Sequence, residues 1–208
     1  MKKSILFKIL TSDDVVKSIN ENLEQLLILI PEIKDMIGFE HNNPHHHLDV
    51  WNHTLLALSI SENNFEIRLA LLLHDIGKPH SYQDLEIRHF KGHPKVSSQI
   101  SRHILTRLNF EKQEIDEMCY LIENHDYMIT KGEIKKNKLL ATKQFKIQFC
   151  DGLAHNPTML EKRRKYLLVI NERINDGKEK EKYQLLITNL FNDKIDKNIK
   201  SKRIKRIK

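Results

Sequence analysis

The sequence predicts an all-α fold built as one domain. Glycine and proline are scarce, six and five in 208 residues, while leucine, isoleucine, lysine and glutamate are frequent, a composition suited to helix. Apolar residues recur at helical spacing in segment after segment, beginning with Val15, Ile19, Leu23, Leu26 and Leu27. A hydrophobic content of 39% over this length is enough for one sizeable core, and no internal repeat or second core is visible.

Each element has a local signal. Thr11 or Ser12 caps a first helix with Asp13 and Asp14 in its first turn, and Pro31 breaks or restarts it. The polar stretch 38–47, with Asn42, Asn43, Pro44 and three successive histidines, is a loop. Asp49 caps a helix over 50–62, with Leu55, Leu56 and Leu58 on its apolar face and His53 one turn in. A helix over 65–75 carries His74 and Asp75 at its end, where Gly77 lets the backbone turn. Residues 76–93 form a long loop over the candidate site. Pro94 opens a helix to about 108. Helices over 112–125, ending at His125, and 142–154, carrying Asp151, follow. The last two, 158–175 and 179–192, join at Asp176-Gly177.

The formal net charge of +7 is concentrated at the end of the chain. Lys197, Lys200, Lys202, Arg203, Lys205, Arg206 and Lys208 lie in the last twelve residues with no acid among them, so the body is near neutral. Such a run is a solvated tail or, on the sharper reading, an arm for nucleic acid or another polyanion. No apolar run is long enough to span a membrane. The opening Met1-Lys2-Lys3 and Ser4-Ile5-Leu6-Phe7 are interrupted by Lys8 and lack a small-residue cleavage site, so the segment reads as mature chain. Cys119 and Cys150 have no motif spacing and suit reduced thiols, which predicts a cytoplasmic protein without membrane partners.

His74-Asp75 follows the apolar run 69–73, where two adjacent polar side chains have no packing reason. Imidazole and carboxylate are common metal ligands, and His53, His93, His125 and Asp151 also fall near predicted helix ends among apolar neighbours. His53, His74, Asp75 and Asp151 can share one divalent ion; if Asp75 bridges, His93 and His125 hold a second. Such donors suit iron, manganese, nickel, cobalt, zinc or magnesium, and affinity order does not choose among them. One or two ions would polarise a water and clamp phosphoryl oxygens, which is hydrolase chemistry. Asp75 and Lys78 are the expected catalytic residues, Lys78 meeting the substrate phosphate as a point charge. His45, His46 and His47 point in different directions as loop neighbours and are not assigned as ligands.

His53, His74-Asp75 in His-Asp-Ile-Gly-Lys, and Asp151 together resemble the HD-domain metal-dependent phosphohydrolase superfamily. Ile30-Pro31-Glu32-Ile33, the stretch His47 to Leu55, Phe90-Lys91-Gly92-His93-Pro94 and Asn124-His125-Asp126 resemble most closely the HD domain attached to bacterial tRNA nucleotidyltransferases. The resemblance implies a helical fold, and with the segments read above the expectation is a single HD-domain helical bundle of about seven to nine helices. It also implies a mono- or binuclear centre and phosphatase or phosphodiesterase action on nucleotides or other phosphate esters. The expected organisation is a helical lead-in over 1–26, the HD metal-binding domain over 27–155, C-terminal helices over 156–196 packed on it, and the basic tail over 197–208. Residues 1–26 are too few for a nucleotidyltransferase head, so the expectation is a stand-alone phosphohydrolase that does not add nucleotides. The second reading is an RNA-binding module with a structural metal site, in which the tail carries function.

Overall fold

The computed structural model describes residues 2–84, 86–156 and 161–189. Within them lie eleven α-helices: α1 (Lys2–Leu10), α2 (Val15–Glu21), α3 (Leu23–Leu29), α4 (Val50–Ile60), α5 (Phe65–Leu73), α6 (His93–Arg107), α7 (Lys112–Glu123), α8 (Lys131–Lys136), α9 (Lys138–Ala154), α10 (Glu161–Ile174) and α11 (Gly177–Asn189). Short 3-10 turns cover Pro31–Met36 and Lys78–His80. Among the described residues there is no strand, only a single bridge between Gln83 and His89. The fold is all-α, as expected. No helix among the described residues is long and apolar enough to cross a membrane.

Helices α4, α5 and α9 pack pairwise against one another at the centre. Every residue of α4 from Val50 to Leu58 is buried, because the helix is apolar on nearly all sides and has neighbours on all of them. α6 and α7 form a hairpin that closes on α5 through α7, and α10 and α11 form a second hairpin on α9. One continuous apolar core runs from Leu6 to Ile187.

The helix starts follow their caps. Asp49 accepts from the Asn52 amide and Asn64 from the Ile67 amide, fixing the beginnings of α4 and α5. At the N-terminus the details differ from expectation. Thr11 turns its hydroxyl back to Phe7 O and ends α1, so Asp14 caps α2, accepting from the Lys17 amide. Asn22 then donates to Ser18 O and leaves helical geometry, which splits the expected first helix into α2 and α3. α8, for which the apolar pattern gives no prediction, is announced by the capping box Thr130 and Glu133. The expected tail over 197–208, the end of the last expected helix and the start of the one before it lie outside the described residues.

Arg68 ties the lead-in to the centre. It is 3% exposed and donates to Leu10 O and Ser12 O, both at 2.7 Å, to Asn63 Oδ1 at 3.1 Å and to Ser61 Oγ at 3.2 Å. Removing it leaves two backbone carbonyls without their donor, so Arg68→Met is expected to lower unfolding stability by about 2–4 kcal/mol. Urea denaturation of the two proteins measures this; a loss under about 1 kcal/mol would mean that the two carbonyls find other donors.

Candidate metal centre

The six expected ligands come from five separate places and meet at one point. His53 lies in the first turns of α4, His74 and Asp75 directly follow α5, His93 is the first residue of α6, His125 is two residues past α7, and Asp151 is near the end of α9. All six are buried, none more than 7% exposed. The packing of α4 on α9 brings His53 to Asp151, and the α6–α7 hairpin brings His93 to His125.

Each imidazole is held by its Nδ1. His74 donates to Leu71 O at 2.7 Å, His93 to Phe90 O at 2.9 Å and His125 to Ile122 O at 2.7 Å, in each case to the carbonyl three residues earlier. His53 donates to Ala154 O, the last carbonyl of α9, at 3.2 Å. A carbonyl can only accept, so Nδ1 carries a proton in each ring and Nε2 is the nitrogen turned to the interior.

Those Nε2 atoms divide between the two oxygens of Asp75. Oδ2 lies 3.2 Å from His74 and 3.7 Å from His53; Oδ1 lies 3.2 Å from His93 and 3.8 Å from His125. Asp151 Oδ1 sits 2.9 Å from His53 Nε2 and 3.6 Å from His74 Nε2. The donors form compact groups, His53 with His74 and Asp75 on one side, Asp75 with His93 and His125 on the other. Neither Asp75 oxygen receives a hydrogen bond of good geometry, and His74 Nε2 has no hydrogen-bond partner. Orphaned buried atoms of this kind are costly unless an ion takes them up, and an all-N/O donor set fits a divalent transition metal or magnesium.

Protonation agrees with a cation-seeking centre. Burial alone would lower the pKa of His74, but the Asp75 and Asp151 carboxylates override it and raise it to about 10. Burial would raise both carboxyls, yet His74 and Lys78 hold Asp75 well below the usual carboxylate range, and His155 and His53 do the same for Asp151. His125 is pushed down to about 4 by burial and by the imidazoles of His74 and His93. One imidazolium thus sits where a metal ion would displace its proton.

Two sequence readings change. Gly77 has φ −85° and ψ −11°, a conformation open to any residue, so turning does not explain it. Its role is close approach: a Cβ there would lie 2.4 Å from the Ser97 backbone nitrogen and 2.9 Å from His93 O, and Gly77 N donates to Ser97 Oγ. The glycine lets the turn after α5 lie against the start of α6, which carries His93. Lys78, expected to meet a phosphate, is 4% exposed, and its Nζ lies 2.7 Å from Asp75 Oδ2, 3.0 Å from His41 Nε2 and 3.5 Å from His46 Nε2.

A polar cavity of about 320 Å³ opens over the centre, bordered by Asp75, His93, His125 and Asp151 and by residues that the sequence reading did not assign. His41 donates from Nδ1 to Leu48 O, which leaves Nε2 to accept from Lys78, and burial followed by the Lys78 charge pushes its pKa down to about 2. His46 stacks on His41 with ring centroids 3.8 Å apart and enters the cavity wall, as His45 does, while His47 does not border it. His155 donates to Asp151 O, and Arg163 reaches Asp126 Oδ1 and Asp151 Oδ2, both at 3.3 Å. The four-residue step from Asp151 to His155 was a readable signal. His41 and Arg163 had none, since only tertiary packing brings them here.

The family model for the HD domain matches residues 45–183. The chain belongs to the HD-domain family. That places it in the metal-dependent phosphohydrolase superfamily, whose members bind divalent metals, and all six candidate ligands fall inside the match. The HD chain is 34% identical over 113 residues to a CC-adding tRNA nucleotidyltransferase of Thermus thermophilus, covering 50% of this chain and 26% of the relative. It is 32% identical over 130 residues to an A-adding tRNA nucleotidyltransferase of Deinococcus radiodurans, covering 58% of this chain and 30% of the relative. The match therefore spans less than a third of either relative.

If Asp75 bridges two ions, His125→Ala removes a ligand from only one of them. Metal content is then expected to fall from about two ions per chain to about one. Elemental analysis after metal loading reads this directly, and a single ion in the unmodified protein would exclude the binuclear assignment.

Proposed function

We propose that this chain is a metal-dependent phosphohydrolase that cleaves a nucleotide or related phosphate ester with a metal-activated water. The observation that carries the reading is the buried Asp75 carboxylate, each oxygen of which faces a separate pair of fixed imidazoles at the floor of an open polar cavity. His53, His74, Asp75 and Asp151 would hold one ion, and Asp75, His93 and His125 a second. Bound there, the ions supply a polarised water at neutral pH and positive charge for the phosphoryl oxygens.

The chain's own part is preorganisation. Four imidazoles anchored to backbone carbonyls need no rearrangement to present Nε2. Lys78 keeps Asp75 charged and in place, and its ammonium is in turn oriented by His41. Among the described residues bordering the cavity only Phe90 is apolar, which favours a small, strongly polar substrate. The tRNA nucleotidyltransferase relatives make a nucleotide, or the end of a nucleic acid, the natural class of ester. The alternative, a nucleic-acid module with a structural metal, has less support, because structural sites are closed whereas this one opens on a cavity.

Asp75→Ala is expected to remove both metal and hydrolysis, with turnover falling by more than the roughly 10–100-fold typical of losing an outer partner. Elemental analysis combined with a phosphomonoester and cyclic phosphodiester panel checks it. Full metal and full turnover in the variant would sink the assignment.

A further inference from the structure

Among the described residues two cationic side chains, Lys78 and Arg163, border the cavity, and they are placed very differently. The Lys78 side chain is 5% exposed. An ammonium has three N–H donors, and three neighbours, Asp75 Oδ2, His41 Nε2 and His46 Nε2, already surround this one within 3.5 Å. A phosphate entering the cavity would compete with these three neighbours for the ammonium. The Arg163 side chain is 22% exposed. A single nitrogen, Nη2, serves both of its carboxylate partners, Asp126 and Asp151. A guanidinium has five N–H donors in a planar fork, and among the described residues no partner takes Nε or Nη1.

The stem of Arg163 is also seated. A Cβ at Gly152 would lie 3.0 Å from Arg163 Cγ, so the glycine beside the ligand Asp151 leaves room for the arginine to lie against α9. Its head is thus fixed at the mouth of the centre, in contact with Asp151 Oδ2, while Asp151 Oδ1 faces His53. A planar donor held there, with N–H groups that no described residue takes, matches the paired oxygens of a phosphate better than a buried ammonium does.

We propose that Arg163, rather than Lys78, is the residue that recognises the substrate's phosphate group, binding it through guanidinium N–H groups that Asp126 and Asp151 do not take while Nη2 stays on those two carboxylates. The inference rests on the phosphohydrolase reading and adds to it the residue that sets anion recognition. Lys78 then serves the interior of the site, beside Asp75, His41 and His46.

The test is calorimetric titration of inorganic phosphate into metal-saturated protein, with elemental analysis of the same samples and KM and kcat for a small phosphomonoester. Arg163→Gln is expected to weaken phosphate binding about tenfold or more and to raise KM in step, with metal content retained. Arg163→Lys, which keeps the charge and loses the fork, should fall between the two. Should Arg163→Gln shed its metal, Arg163→Lys carries the comparison. Phosphate affinity and KM equal to the unmodified protein in a variant that holds its metal would overturn the proposal and leave the phosphohydrolase reading standing. An unmodified, metal-loaded protein that neither binds phosphate nor hydrolyses any ester would overturn both.

Discussion

The structure turns on one buried carboxylate. Asp75 is 1% exposed, carries a charge held by its neighbours, and receives no well-formed hydrogen bond. Such a group is tolerated only where positive charge is gathered around it. The chain does this from several sides: α4 and α5 bring His53 and His74 to one oxygen, the α6–α7 hairpin brings His93 and His125 to the other, and Lys78 lies 2.7 Å from Oδ2. Asp75 can face both sets because α5 has ended at Leu73.

The ends of the helices serve the site in a second way. The last carbonyls of a helix have no partner within it and must be satisfied elsewhere. Here Leu71 O near the end of α5, Ile122 O near the end of α7 and Ala154 O at the end of α9 are taken by His74, His125 and His53. A requirement of helix termination and the orientation of a ligand are thereby met by the same hydrogen bond. Two glycines complete the geometry by close approach: Gly77 lets the turn after α5 touch α6, and Gly152 leaves the space in which Arg163 lies.

Beyond the ligands, the cavity wall is a connected set of polar groups. His46 stacks on His41, His41 accepts from Lys78, and Lys78 faces Asp75. On the other wall Arg163 links Asp126, next to His125, with Asp151. The region matched by the HD-domain family model contains His46, Lys78 and Arg163 as well as the six ligands.

Much of this was legible in the chain itself. Helical spacing, the Asp49 cap and Pro94 locate α4 and α6, and the odd pairing of His74 with Asp75 after an apolar run marks the site, because these depend on neighbours in sequence. The split at Asn22 was not legible, since an apolar stripe continues across a one-residue break that a side-chain hydrogen bond to Ser18 O creates. Nor were the parts played by His41, His46 and Arg163, which come from two distant segments and take their places only when α10 packs on α9 and the 38–47 loop covers α4. Sequence determined which helices form and which residue types are available to bind an ion. Tertiary structure decided which oxygen of Asp75 faces which imidazole and which cation stays open to the cavity, because those are matters of distance across the core, and no local rule along the chain encodes them.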